Sequence, residues 1–321
     1  MKRREFVVGA VGAGAALSLF PAGRAGLGRE KPSGGLERRA LGKTGEKLSC
    51  IGFGGIVVSK VTAEEASRSV RLAIDAGINY FDVAPTYGNA EEMLGPALEP
   101  YRKDVFLACK TQERTKDGAL AELDRSLKKL RTDHFDLYQH HAVTKKADVE
   151  TIFGPGGAME GFETAKKAGK VRFLGFSAHS VEAAMALMDG YDFDTILFPF
   201  NYATWNAGNF GPQVMARAKE KGMGILCLKA MAKGPWPEGA ERRYEKCWYE
   251  PADAEDEADL ALRFTLSHPV TAAVPPGDPV LFEMAVRLAK EFRPITPDQE
   301  KALKAKAAAG TPLFRYPSKD A

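Results

Sequence analysis

Eight short apolar runs, each followed by a stretch of helical character, recur about every 25 to 35 residues along this chain. The runs are SCIGFGG, INYFDVA, VFLACK, FDLYQHH, VRFLGFSA, TILFPFN, GILCLKA and TAAVPPG. Strands that alternate hydrophobic and polar residues have one wet face; these runs are nearly continuous, as expected of parallel strands covered on both sides. Helical stretches are expected over residues 62–76, 90–99, 117–131, 158–168, 180–188, 211–221, 254–267 and 279–291. Thr62 before Ala63-Glu64-Glu65 reads as an N-cap with an acidic first turn, and Gly77 as the C-terminal stop. Eight strand-helix units predict an α/β fold, a (β/α)8 TIM barrel. An open doubly wound sheet would need a G-x-G-x-x-G turn after its first strand, and CIGFGGIVVS lacks one.

The 321 residues exceed a usual domain, but such barrels run to about 250 residues or more as one unit. A single domain over residues 31–321 is therefore expected. LERRALGKTGEKLS ahead of the first strand reads as a β-hairpin turning at Lys43-Thr44-Gly45. Residues 297–309 form an expected extra surface helix, followed by an extended tail. Residues 233–252, with two Trp and two Tyr, either clasp a substrate or pack on the outside of the barrel.

Residues 1–30 differ in kind. MKRREFVVGAVGAGAALSLFPAGRAG has a charged start, an apolar run from Phe6 to Phe20 and then small residues, the order of an export signal. Arg3-Arg4 resembles a twin-arginine signal, which the export machinery reads as an address. Export to the periplasm or another extracytoplasmic space is expected, with an uncleaved tether and a buried helix as the alternatives. The run is short and rich in Gly and Ala, so no stable membrane span is expected. With 45 basic against 42 acidic residues and a net charge of +3, no basic block favours nucleic acid. The 4 cysteines show no close pairing, so neither a disulfide framework nor a metal site is expected.

In a (β/α)8 barrel the chemistry sits at the C-terminal ends of the strands. Asp82 ends the second strand, Tyr87 follows in its loop, Lys110 ends the third, and His141 ends the fourth. Strand alternation lets Asp82 and Lys110 both face the barrel mouth. A buried lysine beside an aspartate is tolerable as a pair. The ammonium is expected to lower the Tyr87 pKa from about 10 toward neutrality. Such a tyrosine can give a proton to a carbonyl oxygen as hydride reaches its carbon, with His141 donating to the same oxygen. His140 and His141 must face opposite ways, and the residues alone do not say which points inward. His179 stands near the mouth and either assists a substrate or packs.

The order Asp82, Tyr87, Lys110, His141, within DVAPTYGNAEEMLG and DLYQHH, resembles the aldo-keto reductase family across most of residues 37–290. LGKTGEKLSCIGFGG and VRFLGFS resemble further family segments. The resemblance implies a barrel that reduces an aldehyde or ketone to an alcohol with a nicotinamide cofactor, Tyr87 as general acid/base, Lys110 and Asp82 tuning it, and the inward role for His141. It implies NADP(H), with NAD(H) as the alternative, and a small-molecule carbonyl or alcohol substrate. On the cofactor side it points to Gly54, Gly55, Asp82, Ser177, Asn201, Lys229 and Gly277. The match is thinner there. The family's Ser-Asn pair reads Ser177-Ala178, its glutamine falls at Leu197, and its stacking tyrosine falls at Lys229, a cation that could contact cofactor phosphates or the substrate. After the eighth strand Pro276 and Gly277 replace a Lys-Ser step, Asp278 adds a repelling charge, and the nearest cation is Arg287. A barrel that binds cofactor or ligand without turnover is the rival reading.

Overall fold

In this computed structural model, residues 35–317 are described; the export segment expected at residues 1–30 lies outside them. The hairpin comes first, β1 (Arg38–Ala40) against β2 (Lys47–Ser49). The barrel strands are β3 (Phe53–Gly54), β4 (Tyr80–Asp82), β5 (Phe106–Thr111), β6 (Phe135–Val143), β7 (Val171–Ala178), β8 (Thr195–Pro199), β9 (Gly224–Leu228) and, after a second hairpin, β12 (Ala272–Val274). That hairpin pairs β10 (Ala232–Pro235) with β11 (Tyr249–Pro251). All neighbouring barrel strands run parallel, and a bridge between Ile51 and Ala273 joins the two ends of the sheet into a ring.

The helices are α1 (Ala63–Asp75), α2 (Ala90–Leu98), α3 (Lys116–Lys129), α4 (Lys146–Phe153), α5 (Ala158–Lys167), α6 (Val181–Gly190), α7 (Tyr202–Gly208), α8 (Pro212–Glu220), α9 (Glu255–Ser267), α10 (Pro279–Lys290) and α11 (Pro297–Ala309). The capping signals act as expected. The Thr62 side chain accepts from the Glu65 amide while the Glu65 carboxylate accepts from the Thr62 amide, closing a capping box. Two short helices and one hairpin had not been expected. The N-cap of α4, Lys145, offers no side-chain cap, and α7 is capped by Asn201, one of the candidate site residues.

The alternation of side chains sorts the strands into two faces. Leu107, Cys109, Tyr138, Leu174 and Phe176 point outward to the helices, in the large apolar cluster. Tyr80, Phe106, Ala108, Leu137, Leu197 and Leu226 point inward and fill the lower barrel. Leu41 and Leu48 of the first hairpin join this inner cluster and plug its N-terminal end. Gly42, at φ +54°, is needed there: a Cβ would strike the backbone of Met223 and Gly224. With the floor closed by apolar side chains, the polar inward residues are left to the opposite end. Leu197, at the position of a family glutamine, belongs to this packed floor.

Candidate active site

Four consecutive barrel strands present polar groups at the mouth. Asp82 follows Tyr80 by two residues on β4, Lys110 follows Ala108 on β5, Gln139 and His141 follow Leu137 on β6, and Ser177 stands on β7. Each is inward for the same reason: it continues the register of an inward apolar residue below it.

Lys110 is fully buried and makes an ion pair with Asp82. Its ammonium also donates to the Val83 carbonyl at 3.3 Å and lies 3.3 Å from the Tyr87 hydroxyl. The second Asp82 oxygen accepts from the Tyr80 hydroxyl at 3.1 Å and from Gln139 Nε2 at 3.0 Å. Burial alone would lower the Lys110 pKa, but the Asp82 carboxylate, with Tyr87, outweighs it and holds the ammonium above the usual lysine range. Tyr80 and Gln139 were not singled out in the sequence. Their signal was there: each lies on the inward register, two residues from a candidate or opposite one.

The expected acidification of Tyr87 is reversed. Burial pushes its phenol up from the ordinary value, Lys110 pulls it down, and Asp82 pushes it up again. The pull of the ammonium is real, but burial of the phenol together with the Asp82 carboxylate outweighs it. Tyr87 therefore keeps its proton across the neutral range.

His141 is inward and buried, edge-on to the Tyr87 ring with centroids 5.8 Å apart, and its Nδ1 lies 3.4 Å from Thr86 Oγ1. Burial first, then Lys110, His179, Arg114 and Lys229, lower its pKa to about 2, so the imidazole is neutral. His140 points outward, its ring stacked on Phe162 of α5 at 3.9 Å and 7°. Both of its ring nitrogens are buried without a hydrogen-bond partner.

The cofactor candidates divide. Ser177 Oγ accepts the Ala142 amide at 2.8 Å, leaving its own proton to donate. Asn201 spends its oxygen on the Thr204 amide, while Nδ2 is buried with no partner. These two neutral groups, on β7 and just beyond β8, suit an amide such as the nicotinamide carboxamide. Gly54 and Gly55 serve strand packing at the mouth, since a Cβ would press on Val274 Cγ1 at 2.9 Å and Val83 Cγ2 at 2.6 Å. At Gly277 the close approach that glycine permits is made by Ile56 of the chain itself. The α10 N-terminus is capped by Asp278, whose carboxylate accepts the Val280 and Leu281 amides. An anion thus already occupies the helix end where a phosphate would be held. Arg287 is bound through both terminal nitrogens to Glu255. At the α10 end Asp278 and the Arg287–Glu255 pair thus compete with a 2′-phosphate for the groups that would bind it.

Lys229 lies elsewhere, at the end of β9. Its ammonium is 3.4 Å from His179 Nε2, 5.3 Å from the Trp248 ring centre and 5.9 Å from that of Phe314. The aromatic segment 233–252 both packs on the outside and reaches the mouth: Lys233 faces Glu257 of α9 on the outer ring, while Lys246 donates to the Val57 carbonyl at 2.7 Å just beyond β3 and Trp248 lies beside the Lys229 ammonium. All four cysteines are buried and unpaired. Among the described residues no cluster of metal-ligating side chains occurs and no helix is long and apolar enough to cross a membrane.

A parallel eight-stranded ring thus gathers a phenol, an ammonium, a carboxylate and a neutral imidazole at its C-terminal mouth, where barrels of this kind carry their chemistry. The chain belongs to the aldo/keto reductase family, whose model matches residues 50–264, more than half of its length. It is 29% identical over 216 residues to the L-galactose dehydrogenase of Arabidopsis thaliana, covering 62% of this chain and 66% of that protein. It is 32% identical over 185 residues to the aldo-keto reductase YhdN of Bacillus subtilis (strain 168), covering 52% and 54%. The matched segments thus span less than two thirds of these curated relatives. Among solved structures, the holo form of aldo-keto reductase AKR11C1 from Bacillus halodurans superposes with a TM-score of 0.67 at 23% identity, covering 85% of this chain and 97% of that one. An aldo/keto reductase from Klebsiella pneumoniae in complex with NADP and acetate gives a TM-score of 0.67 at 18% identity, covering 87% and 98%.

Proposed function

We propose that the protein is a nicotinamide-dependent carbonyl reductase in which Tyr87 is the general acid. The observation that carries this reading is the chain of contacts Asp82, Lys110, Tyr87, ending 3.3 Å from a phenol beside a neutral imidazole. The carbonyl oxygen of the substrate is held between the Tyr87 hydroxyl and His141. Ser177 Oγ and Asn201 Nδ2 would hold the carboxamide of a nicotinamide, which when bound would supply hydride to the carbonyl carbon. As negative charge grows on the oxygen, Tyr87 gives up its proton, and the adjacent ammonium stabilises the phenolate left behind. The neutral His141 offers one N–H to the same oxygen without itself changing charge. In the reverse direction the phenolate takes the proton from an alcohol.

The cofactor is assigned as NADP(H), following the NADP and NADPH complexes of the Klebsiella pneumoniae neighbours. Asp278 at the α10 N-terminus argues for weak discrimination against NAD(H): the Kd values of NADPH and NADH, read by fluorescence, should differ by less than about tenfold, the effect of one charge-assisted contact. Export through Arg3-Arg4 is part of the same proposal, supported by the sequence alone; fractionation of the native host, with mass spectrometry of the mature N-terminus, tests it. Turnover with aldehydes, quinones and keto sugars tests the reductase. Cofactor binding with no carbonyl turned over would replace it with a binding module.

A further inference from the structure

We propose that Lys229 and His179 form an anion subsite at the barrel mouth, so that the substrate is a carbonyl compound carrying a carboxylate. The inference rests on the reductase reading and deepens it. Lys229 is 8% exposed, yet no carboxylate among the described residues pairs with it; the groups that act on its charge are Cys227 and Lys110. A charged ammonium has three donors and no acceptor, and among the described residues its one polar side-chain partner is His179 Nε2. Buried charges are ordinarily paired, because leaving one alone is strongly unfavourable. The backbone adds a second sign. Lys229 adopts φ +63°, a left-handed conformation uncommon for a side chain of this size, of the kind that persists where a site requires it.

The surroundings say what the missing partner is. The aromatic rings of Trp248 and Phe314 wall the ammonium, and the His179 ring stacks on Phe314 with centroids 5.5 Å apart. An apolar wall strengthens a single charge contact and suits a small organic anion; a phosphate dianion calls for several donors. Across the mouth the remaining charges are spoken for. Lys110 is held by Asp82, and Arg114 donates to the His141 carbonyl at 2.7 Å and faces Asp148 at 3.9 Å. His141 and His179 are neutral, lowered by burial to about 2 and about 3. Lys229 has no such carboxylate among the described residues. Its ammonium stands 3.4 Å from His179, and its charge reaches both His179 and His141. Burial lowers it to about 7, so an arriving carboxylate draws a proton onto it and is held by the charge it creates.

The test compares acids with their methyl esters: 4-carboxybenzaldehyde against methyl 4-formylbenzoate, and succinic semialdehyde against its methyl ester. In the wild type, kcat/KM should favour the acid by at least about tenfold, the smallest factor expected of one charge-assisted hydrogen bond. Lys229→Met should bring the ratio to near unity, and Lys229→Arg should keep it. A wild-type ratio near unity, or a preference that survives Lys229→Met, overturns the proposal. If Lys229→Met does not fold, the pH dependence decides: a preference that fades as pH rises above about 7 supports the subsite, and a flat ratio overturns it. If no carbonyl is turned over, the reductase reading fails separately, and tryptophan emission titrated with succinate against dimethyl succinate still judges the subsite. Saturable binding of the acid alone, lost with Lys229, supports it; equal or absent responses overturn it.

Discussion

Two lysines end strands of this barrel, both buried, and they stand in opposite electrostatic states. Lys110 sits against Asp82 and is held above the usual lysine range; Lys229 has aromatic rings and a neutral histidine for neighbours and falls to about 7. The same desolvation acts on both. What separates them is one carboxylate, itself fixed by Tyr80 and Gln139. An internally paired ammonium is a permanent part of the machinery beside Tyr87, whereas an unpaired one is left for a ligand.

The contrast can be broken experimentally. The largest effect should follow from removing the group that the paired lysine serves: Tyr87→Phe should lower kcat/KM for carbonyl reduction by about 10²- to 10⁴-fold, the usual worth of a positioned general acid, with thermal unfolding nearly unchanged. Next, Lys110→Met strands the Asp82 charge in the core and should destabilise the protein by about 3 to 5 kcal/mol in urea unfolding. Lys229→Met, measured the same way, should be neutral or stabilising; equal losses in the two variants would erase the distinction drawn here. The smallest effect concerns a buried base with no partner. His140 has its folded pKa lowered to about 3 by burial, then by Arg114. The unfolded chain takes the proton first, near 6.5, so this residue removes stability as pH falls from about 6.5 toward 3. His140→Phe should therefore match the wild type at neutral pH and exceed it by about 2 kcal/mol near pH 5.

Much of this could be read along the chain because parallel strands covered on both faces announce themselves as apolar runs, and a charge at the end of such a run stands out. Asp82, Lys110 and His141 were visible for that reason, and so was the ring of eight strands. Short elements that bury little were not. α4 has no cap residue, and the hairpin β10–β11 lies within a stretch of Pro, Gly and charge that reads as loop. Asn201 shows why residue type alone misleads: its oxygen is consumed as a helix cap, and only its nitrogen is left for a ligand. The sign of the Tyr87 shift lay beyond the sequence too. It depends first on how deeply the phenol is buried and then on the balance between Lys110 and Asp82, neither of which a spacing of residues encodes.

The reduction pH profile tests the central claim, that Tyr87 delivers a proton it holds throughout the neutral range. Burial holds the phenol above its ordinary value, so kcat/KM for an uncharged carbonyl such as methyl 4-formylbenzoate, which does not engage Lys229, should stay level through neutrality and decline only above about pH 10. A decline centred near neutrality, absent from Tyr87→Phe, would show an acidified phenol and contradict the account.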